Sequence, residues 1–471
     1  MTGKKTEGPS HRHQGFPMTD VLLIWPPHVP SYFNAGHHSP LYMVAGYLRR
    51  QPATGRVDTC EAGTLSMNWK GVGDLLHQGR YDVIAVMNDF DAVDGLERFI
   101  EYARELSPDS RLITFGRLSS LNHGFFRQFD LDAVVQSGDY ECGVAEYVNA
   151  LSRSGPPHIP PAGLPGVAVR QGEGWLEPVG HGGRLDPEQW VLPDIDEIPY
   201  QDYDRFYARD EHKFCGIPFR RELVVPAARG CPVGCDFCEV PEIFGLRERR
   251  LPVDAVIGYI RDSYDRHPFE YVAFYAPTFT LDRRWVRELC ERFIEGPVSP
   301  RWKCATTIHH LGEELVALMG RAGCVRISVG LETLEADGQG GLPRSKRTEE
   351  RKFCALAEWC DAAGIELNAF IIVGLPGTSA EGTARTIELA RSVGARVRPT
   401  MYTPFHQMTA DMTAQQVARF NRQLISGEAA GNATADGSAP RPEADARYAF
   451  LFGREDRLTS VHERIPQRTA R

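Results

Sequence analysis

Three cysteines constrain this chain more than any other feature. Cys231, Cys235 and Cys238 lie in the run Arg229-Gly230-Cys231-Pro232-Val233-Gly234-Cys235-Asp236-Phe237-Cys238. A Cys-x3-Cys-x2-Cys spacing can hold three irons of a [4Fe–4S] cube and leave the fourth iron open. Four matched cysteines would point instead to zinc or a closed electron-transfer cluster. The run directly follows an apolar strand candidate at 222–228, so the fold must deliver it at a strand end.

Two alternations of short apolar strands and amphipathic helices surround that requirement. In residues 19–153, strand candidates at 21–25, 57–60, 82–87, 111–115 and 133–135 are separated by helical patterns at 40–51, 70–78, 92–106 and 140–152. This pattern predicts an α/β, doubly wound, Rossmann- or flavodoxin-like parallel sheet of five strands, a fold that binds ligands at the carboxyl ends of its strands. Residues 154–215, rich in Pro and Gly, read as a connector. In residues 216–410, strand candidates at 222–228, 270–275, 302–308, 325–330, 366–373 and 396–402 predict a partial (β/α)6 TIM-type barrel. Residues 1–18 read as a disordered tail. Residues 411–471 read as a polar extension with a helix at 413–425.

The cysteine run resembles the signature of the radical S-adenosylmethionine (SAM) enzymes. The resemblance implies a [4Fe–4S] cluster on Cys231, Cys235 and Cys238, with SAM chelated at the open iron. It also implies a 5′-deoxyadenosyl radical that takes a hydrogen atom from a small-molecule substrate. Phe237 would pack the cluster or the adenine. Gly330-Leu331-Glu332 ends the fourth barrel strand, where the family places polar groups near the ribose and the methionine carboxylate. Ala369-Phe370-Ile371-Ile372-Val373-Gly374-Leu375-Pro376-Gly377 resembles the family's Gly-rich turn beneath the adenine, which makes Gly374 and Pro376 cofactor-binding candidates. Arg249 and Arg250 resemble basic residues that follow the cluster loop; the plainer reading is a solvated charge run.

Two strand ends depart from the family pattern. Relatives often carry adjacent acids where Ala276 and Pro277 stand, and an Arg at the position of Thr307. Both departures point to an unusual substrate pocket. Glu332, His309 and His310 are the candidate proton acceptors and Tyr275 the candidate hydrogen-atom or proton donor, against plain readings as structural histidines and a strand aromatic.

An α/β domain ahead of such a barrel resembles the cobalamin-binding class of the family over 19–410. Ser137-Gly138-Asp139-Tyr140-Glu141 matches a Gly-containing turn followed by Glu in that class. No Asp-x-His-x-x-Gly is present, and Phe115-Gly116-Arg117 stands where the class usually has Gly-Gly. Arg117 adds bulk where the nucleotide tail of cobalamin would pass. The expected activity is therefore cobalamin-free dehydration or deoxygenation of an amino sugar or polyol in antibiotic biosynthesis, in the layout of the aminoglycoside diol-dehydratases. The second reading is a cobalamin-dependent radical SAM C-methyltransferase of secondary metabolism. A third is a binding or sensing protein with a degenerate site. A flavodoxin or ferredoxin is the expected electron donor.

The formal net charge of −9 argues against a nucleic-acid partner. No apolar run reaches membrane-spanning length. The start, MTGKKTEGPS, lacks the apolar core of a secretory signal. With eleven cysteines and a clustered motif, a reducing cytoplasm is expected. The other cysteines show no Cys-x2-Cys pair, which argues against a second cluster.

Overall fold

The computed structural model describes residues 18–27, 35–90, 93–154, 163–207, 221–418 and 420. The 1–17 part of the expected tail and residues 421–471 of the extension lie outside the described residues. Strands β1 (Thr19–Trp25), β2 (Thr54–Glu61), β3 (Val83–Asn88), β4 (Arg111–Gly116) and β5 (Ala133–Val135) run parallel in the order 2-1-3-4-5. That is the flavodoxin-like order, with its switch point between β1 and β3. Helices α1 (Ala35–Leu48), α2 (Trp69–Gly79), α3 (Val93–Leu106), α4 (Arg117–Leu121) and α5 (Tyr140–Ser154) complete the domain. Val21 and Leu23 point to the core that holds Val44 and Val148; Leu22 and Ile24 point to the core that holds Leu76 and Phe99. Both faces are buried, which is why the strands read as unbroken apolar runs.

The sheet is larger than the sequence led us to expect. β6 (Val167–Gln171) and β7 (Gly174–Leu176) add antiparallel strands beyond β5, through a turn with Gly172 at φ 58°. They lie in the stretch read as a connector. Their apolar run, Val167-Ala168-Val169, is too short to stand out amid so much Pro and Gly.

The second sheet contains β8 (Glu222–Pro226), β11 (Tyr271–Tyr275), β12 (Trp302–Thr306), β13 (Cys324–Glu332), β14 (Glu366–Val373) and β15 (Arg396–Met401). These six run parallel in sequence order. β9 (Ala228–Arg229) and β10 (Arg249–Arg250) form a small antiparallel ribbon at the root of the cysteine loop. The described helices here are α6 (Tyr200–Tyr207), α7 (Val240–Phe244), α8 (Val253–Arg266), α9 (Arg283–Glu295), α10 (Glu313–Arg321), α11 (Ala336–Gly340), α12 (Glu350–Ala362) and α13 (Ala380–Ser392), while α14 (Ala414–Ala418) packs back on α3 of the first sheet. Asp282 caps α9 by accepting from the N–H groups of Arg284 and Trp285. None of the described helices is long and apolar enough to cross a membrane. Trp302 and Cys304 pack outward beneath the helices, while Ala305, Gly330, Phe370, Ile372 and Thr400 line the inner cavity. The floor carries Lys303, 2.8 Å from Glu222, and Arg326 paired with Glu366.

A buried ion cluster fastens the two sheets. Arg229 donates to Glu141 at 2.6 and 3.1 Å and lies 3.2 Å from Asp139. Arg249 donates to Asp139 at 2.6 and 2.9 Å and to the Leu185 carbonyl at 2.7 Å. The Trp190 ring lies under Arg229 at 4.6 Å. Arg249 is thus buried and paired, and Arg250 pairs with Glu248 over the Trp285 ring. Neither belongs to a solvated charge run.

A second buried carboxylate, Glu61, ends β2. It accepts from Thr64 at 2.8 Å and Tyr203 at 2.5 Å, is bonded by Tyr42, and lies 2.6 Å from His38. Burial raises the carboxyl pKa of both Glu61 and Asp139. The partners outweigh burial and hold both below the ordinary carboxylate range: His38 and two tyrosines for Glu61, Arg249 and Arg229 for Asp139. The sign follows from linkage. Each contributes stability above the ordinary carboxylate pKa, and that stability is lost as pH falls through the depressed value. Melting temperatures measured between pH 7 and 3 should fall toward acid, and Glu61→Gln should flatten the slope.

Candidate cluster and cofactor site

The cysteine loop is shaped by two glycines. Gly230 sits at φ 81°, where an added Cβ would lie 2.2 Å from the Arg247 carbonyl oxygen. Gly234 turns the loop at φ 65°. The Cys231 N–H donates to the Gly245 carbonyl at 3.0 Å, and the Cys238 N–H to the Cys235 carbonyl at 2.9 Å. Cys231 and Cys235 are buried and Cys238 is half-buried; all three are free thiols. Burial pushes the Cys235 thiol up to about 12; Lys346 pulls it down, while Cys238, Glu332 and Cys231 push further. Metal ligation therefore has to displace a proton here. Among the described residues, no three His, Cys, Asp or Glu side chains close around a single ion. The donor set, its burial and its place at a strand end fit a [4Fe–4S] cluster.

Beside the loop lies a cavity of about 250 Å³, bounded in part by Phe237, Gly330, Glu332, Lys346, Phe370 and Tyr402. Glu332 ends β13 at φ 60°, a left-handed backbone that a β-carbon disfavours, and a register shift between Gly330 and Glu332 accompanies it. The shift turns the carboxylate into the cavity, where it meets the Lys346 ammonium at 2.9 Å. Burial lowers the Lys346 pKa; Glu332, Cys235 and Cys238 raise it, and the net direction is up. Gly330 makes the room: an added Cβ would lie 2.1 Å from a Glu332 carboxylate oxygen and 2.4 Å from the Lys346 Nζ. Gly330→Ala should part this ion pair, cost about 1–3 kcal/mol of stability, and shrink the cavity; thermal melts together with SAM titration would check it.

Lys346 escaped the sequence reading. In Gly341-Leu342-Pro343-Arg344-Ser345-Lys346-Arg347 it looks like one of several solvated basic residues. Opposite the charges, Phe237 and Tyr402 pack on Leu342, Ile372 and Leu375. Gly374 adopts φ 75° with nothing within 4 Å of an added Cβ, and Pro376 is exposed. The turn therefore leaves open space next to this apolar wall. One side with paired charges and one apolar side suit a ligand that has an amino-acid end and a flat ring.

The remaining candidates stand outside the cavity lining. Tyr275 ends β11, its carbonyl accepting from the Ala227 N–H at 2.8 Å, with its side chain half-buried against the core. His309 and His310 lie in the short turn Ile308–His310. His309 Nε2 is 2.6 Å from the Arg347 carbonyl and Nδ1 is 3.1 Å from Lys352 Nζ. That pairing requires the Nε2–H tautomer and makes His309 a brace between loops. Burial, with Arg283 nearby, lowers the His310 pKa.

The first sheet turns its carboxyl edge toward the cysteine loop. At the end of β4, Gly116 adopts φ 146°, and an added Cβ would lie 2.1 Å from the Asn88 carbonyl oxygen. Arg117 donates to Asp89 at 3.0 Å and to Glu239 at 2.8 Å, and it lies over Phe90 at 5.0 Å. Glu239 directly follows Cys238. The bulk expected to lie across the sheet edge is therefore drawn into a bridge to the barrel. The 2-1-3-4-5 order, the tight Gly116 turn and the tethered Arg117 fit a cobalamin at this edge.

Comparison with known proteins supports this arrangement. Residues 225–390 match the Radical SAM superfamily. An uncharacterized methyltransferase of Pyrococcus horikoshii is 26% identical over 56% of this chain and 53% of its own length. The anaerobic magnesium-protoporphyrin IX monomethyl ester cyclase of Rubrivivax gelatinosus is 24% identical over 79% of this chain and 65% of its own. The matches thus span about half to two thirds of these relatives. TsrM of Kitasatospora setae, a radical SAM methyltransferase solved with cobalamin and a [4Fe–4S] cluster bound, superposes with a TM-score of 0.63. It is 15% identical, and the superposition covers 87% of this chain and 86% of that one. At that identity the likeness is one of fold. Dehydration or deoxygenation, the activity expected from the sequence, is corrected by these findings: the Pyrococcus protein and TsrM are methyltransferases, as are two further curated matches by name. The error came from reading Arg117 as an obstacle at the sheet edge. Residues 225–390 thus match the radical SAM superfamily, and the N-terminal sheet ahead of them shares its fold with TsrM.

Proposed function

We propose that this protein is a cobalamin-dependent radical SAM C-methyltransferase acting on a small molecule of secondary metabolism. The observation that carries the reading is the Arg117–Glu239 bridge, 2.7 Å at its closest, which sets the ligand edge of the first sheet beside the cysteine loop. Two ligand-binding strand ends that face one another can hold a methyl carrier and a radical source on either side of one substrate. When bound, the cluster supplies an electron, SAM supplies the methyl group and the radical precursor, and cobalamin carries the methyl.

The chain's own residues take the following parts. Cys231, Cys235 and Cys238 hold the cluster. Glu332 and Lys346 receive the amino and carboxylate groups of SAM, opening their pair to do so. Phe237, Ile372, Leu375 and Tyr402 shield the adenine from water, and the Gly374 turn, with Pro376, lets the backbone approach it. Asp89 and Gly116 border the cobalamin edge. A flavodoxin or ferredoxin serves as electron donor, and a reducing cytoplasm suits an oxygen-sensitive cluster.

Lys346→Met should weaken SAM binding about tenfold, the loss of one charge-assisted contact, with iron content unchanged; equilibrium dialysis with labelled SAM reads this out. The reading as a whole is tested by cobalamin content after anaerobic reconstitution. One tightly held cobalamin per chain is expected, and a protein that returns none under saturating cobalamin is not this enzyme.

A further inference from the structure

The three cysteines are not fastened alike. Arg229, just before Gly230, is locked by the buried Glu141 and Asp139. Arg249, beyond the loop, shares Asp139. Cys231 is tied to the Gly245 carbonyl. The root of the loop is therefore fixed by buried groups. Its far end is the half-buried Cys238. There the contact to the first domain is made by the next residue, Glu239, through Arg117.

Arg117 belongs to the other site. It opens α4 directly after β4, and its second partner, Asp89, directly follows β3. Its guanidinium lies on Phe90. Asp89 and Arg117 thus occupy the carboxyl ends of neighbouring strands, where a doubly wound sheet takes its ligand. One planar fork grips both the sheet edge and the residue after the third cluster ligand. Two charge-assisted contacts from one guanidinium fix direction as well as distance.

We propose that Arg117 and Glu239 are a positioning pair that makes the placement of Cys238, and with it the SAM-binding geometry of the cluster, depend on occupancy of the first sheet's ligand edge. A ligand seated against Asp89 and Arg117 stiffens the fork and so steadies the third cysteine. With the edge empty, the fork keeps only its protein partners. Glu239 touches neither substrate nor reacting atoms, Arg117 meets only the ligand of the sheet edge, and the pair acts on SAM binding through Cys238. This proposal rests on the reading of the three cysteines as cluster ligands and of the sheet edge as the cobalamin site.

The experiment uses the full chain, reconstituted anaerobically with iron and sulfide, as wild type, Arg117→Met, Arg117→Lys and Glu239→Gln. Iron content, melting temperature, the electron paramagnetic resonance spectrum of the reduced cluster, and SAM affinity are measured without and with hydroxocobalamin. Arg117→Met and Glu239→Gln should keep their iron and their melting temperature. They should bind SAM about tenfold more weakly and give an altered spectrum with SAM present. Hydroxocobalamin should tighten SAM binding in wild type and leave both variants unmoved, while Arg117→Lys should recover part of the response. Variants that match wild type in spectrum and SAM affinity overturn the proposal. So does loss of iron in the near-isosteric Glu239→Gln, which would make the pair a plain structural contact. If wild type binds no cobalamin, the methyltransferase reading fails, and so does the dependence on edge occupancy. The comparison without cobalamin would then show separately whether the pair still positions Cys238.

Discussion

Cys235→Ala abolishes the cluster and with it all reductive cleavage of SAM. The expected preparation is colourless after reconstitution, and no 5′-deoxyadenosine forms with dithionite. The physical basis is the ligand count. The loop offers three thiols, and losing one leaves a cube with two vacant irons. Among the described residues, the cysteines of the barrel core cannot substitute. Cys290, Cys304, Cys324 and Cys360 gather elsewhere, in the core between the barrel sheet and its helices, and burial pushes Cys290 and Cys360 up to about 12. They are packing groups of the barrel core. Iron and sulfide analysis beside product chromatography checks the result; a variant with full iron and undiminished 5′-deoxyadenosine would remove Cys235 from the ligand set.

Asp139→Ala is expected to produce the largest loss of stability. It would leave Arg249 and part of Arg229 charged and buried without their shared carboxylate. Removing one partner of a buried pair costs about 3–5 kcal/mol, well above the gain from forming such a pair. Asp139 has no exposed surface and also accepts from the Leu185 N–H at 3.0 Å, so nearby solvent cannot replace it. Urea denaturation followed by circular dichroism should show the drop. Cluster content should fall with it, because Arg229 and Arg249 bracket the cysteine loop. Asp139→Asn should cost less, since an amide oxygen still accepts from Arg249. A change below 1 kcal/mol in Asp139→Ala would mean the cluster is far more solvated than its burial indicates.

Much of this architecture was legible in the sequence because burial on both faces leaves a simple trace. β1 and β3 are unbroken apolar runs bounded by turn residues, and so is β14; such strands have few other places to go. The cysteine loop was legible for a different reason, since metal ligation demands particular residues at particular spacings. What could not be read were pairings that depend on tertiary approach. Lys346 lies fourteen residues beyond Glu332 in a basic loop, and nothing local separates it from Arg344 or Arg347. Asp139 and Arg249 are 110 residues apart. Arg117 shows the cost of reasoning from position alone. Its bulk was correctly located at the end of β4, but its direction was set by Asp89 and by Glu239, 122 residues away. His309 and His310 stand at a strand end, as catalytic groups often do, yet the turn Ile308–His310 directs His309 to Arg347 and Lys352 and away from the cavity lining.

The central claim is that one site cleaves SAM while the other receives its methyl group. The direct test incubates the reconstituted, cobalamin-loaded protein with SAM carrying a ¹³C methyl group and a low-potential reductant. Label is followed into cobalamin, S-adenosylhomocysteine and 5′-deoxyadenosine. The account predicts labelled methylcobalamin with matching S-adenosylhomocysteine, alongside unlabelled 5′-deoxyadenosine that disappears in Cys235→Ala. Cleavage to 5′-deoxyadenosine with no label on cobalamin and no S-adenosylhomocysteine would contradict it.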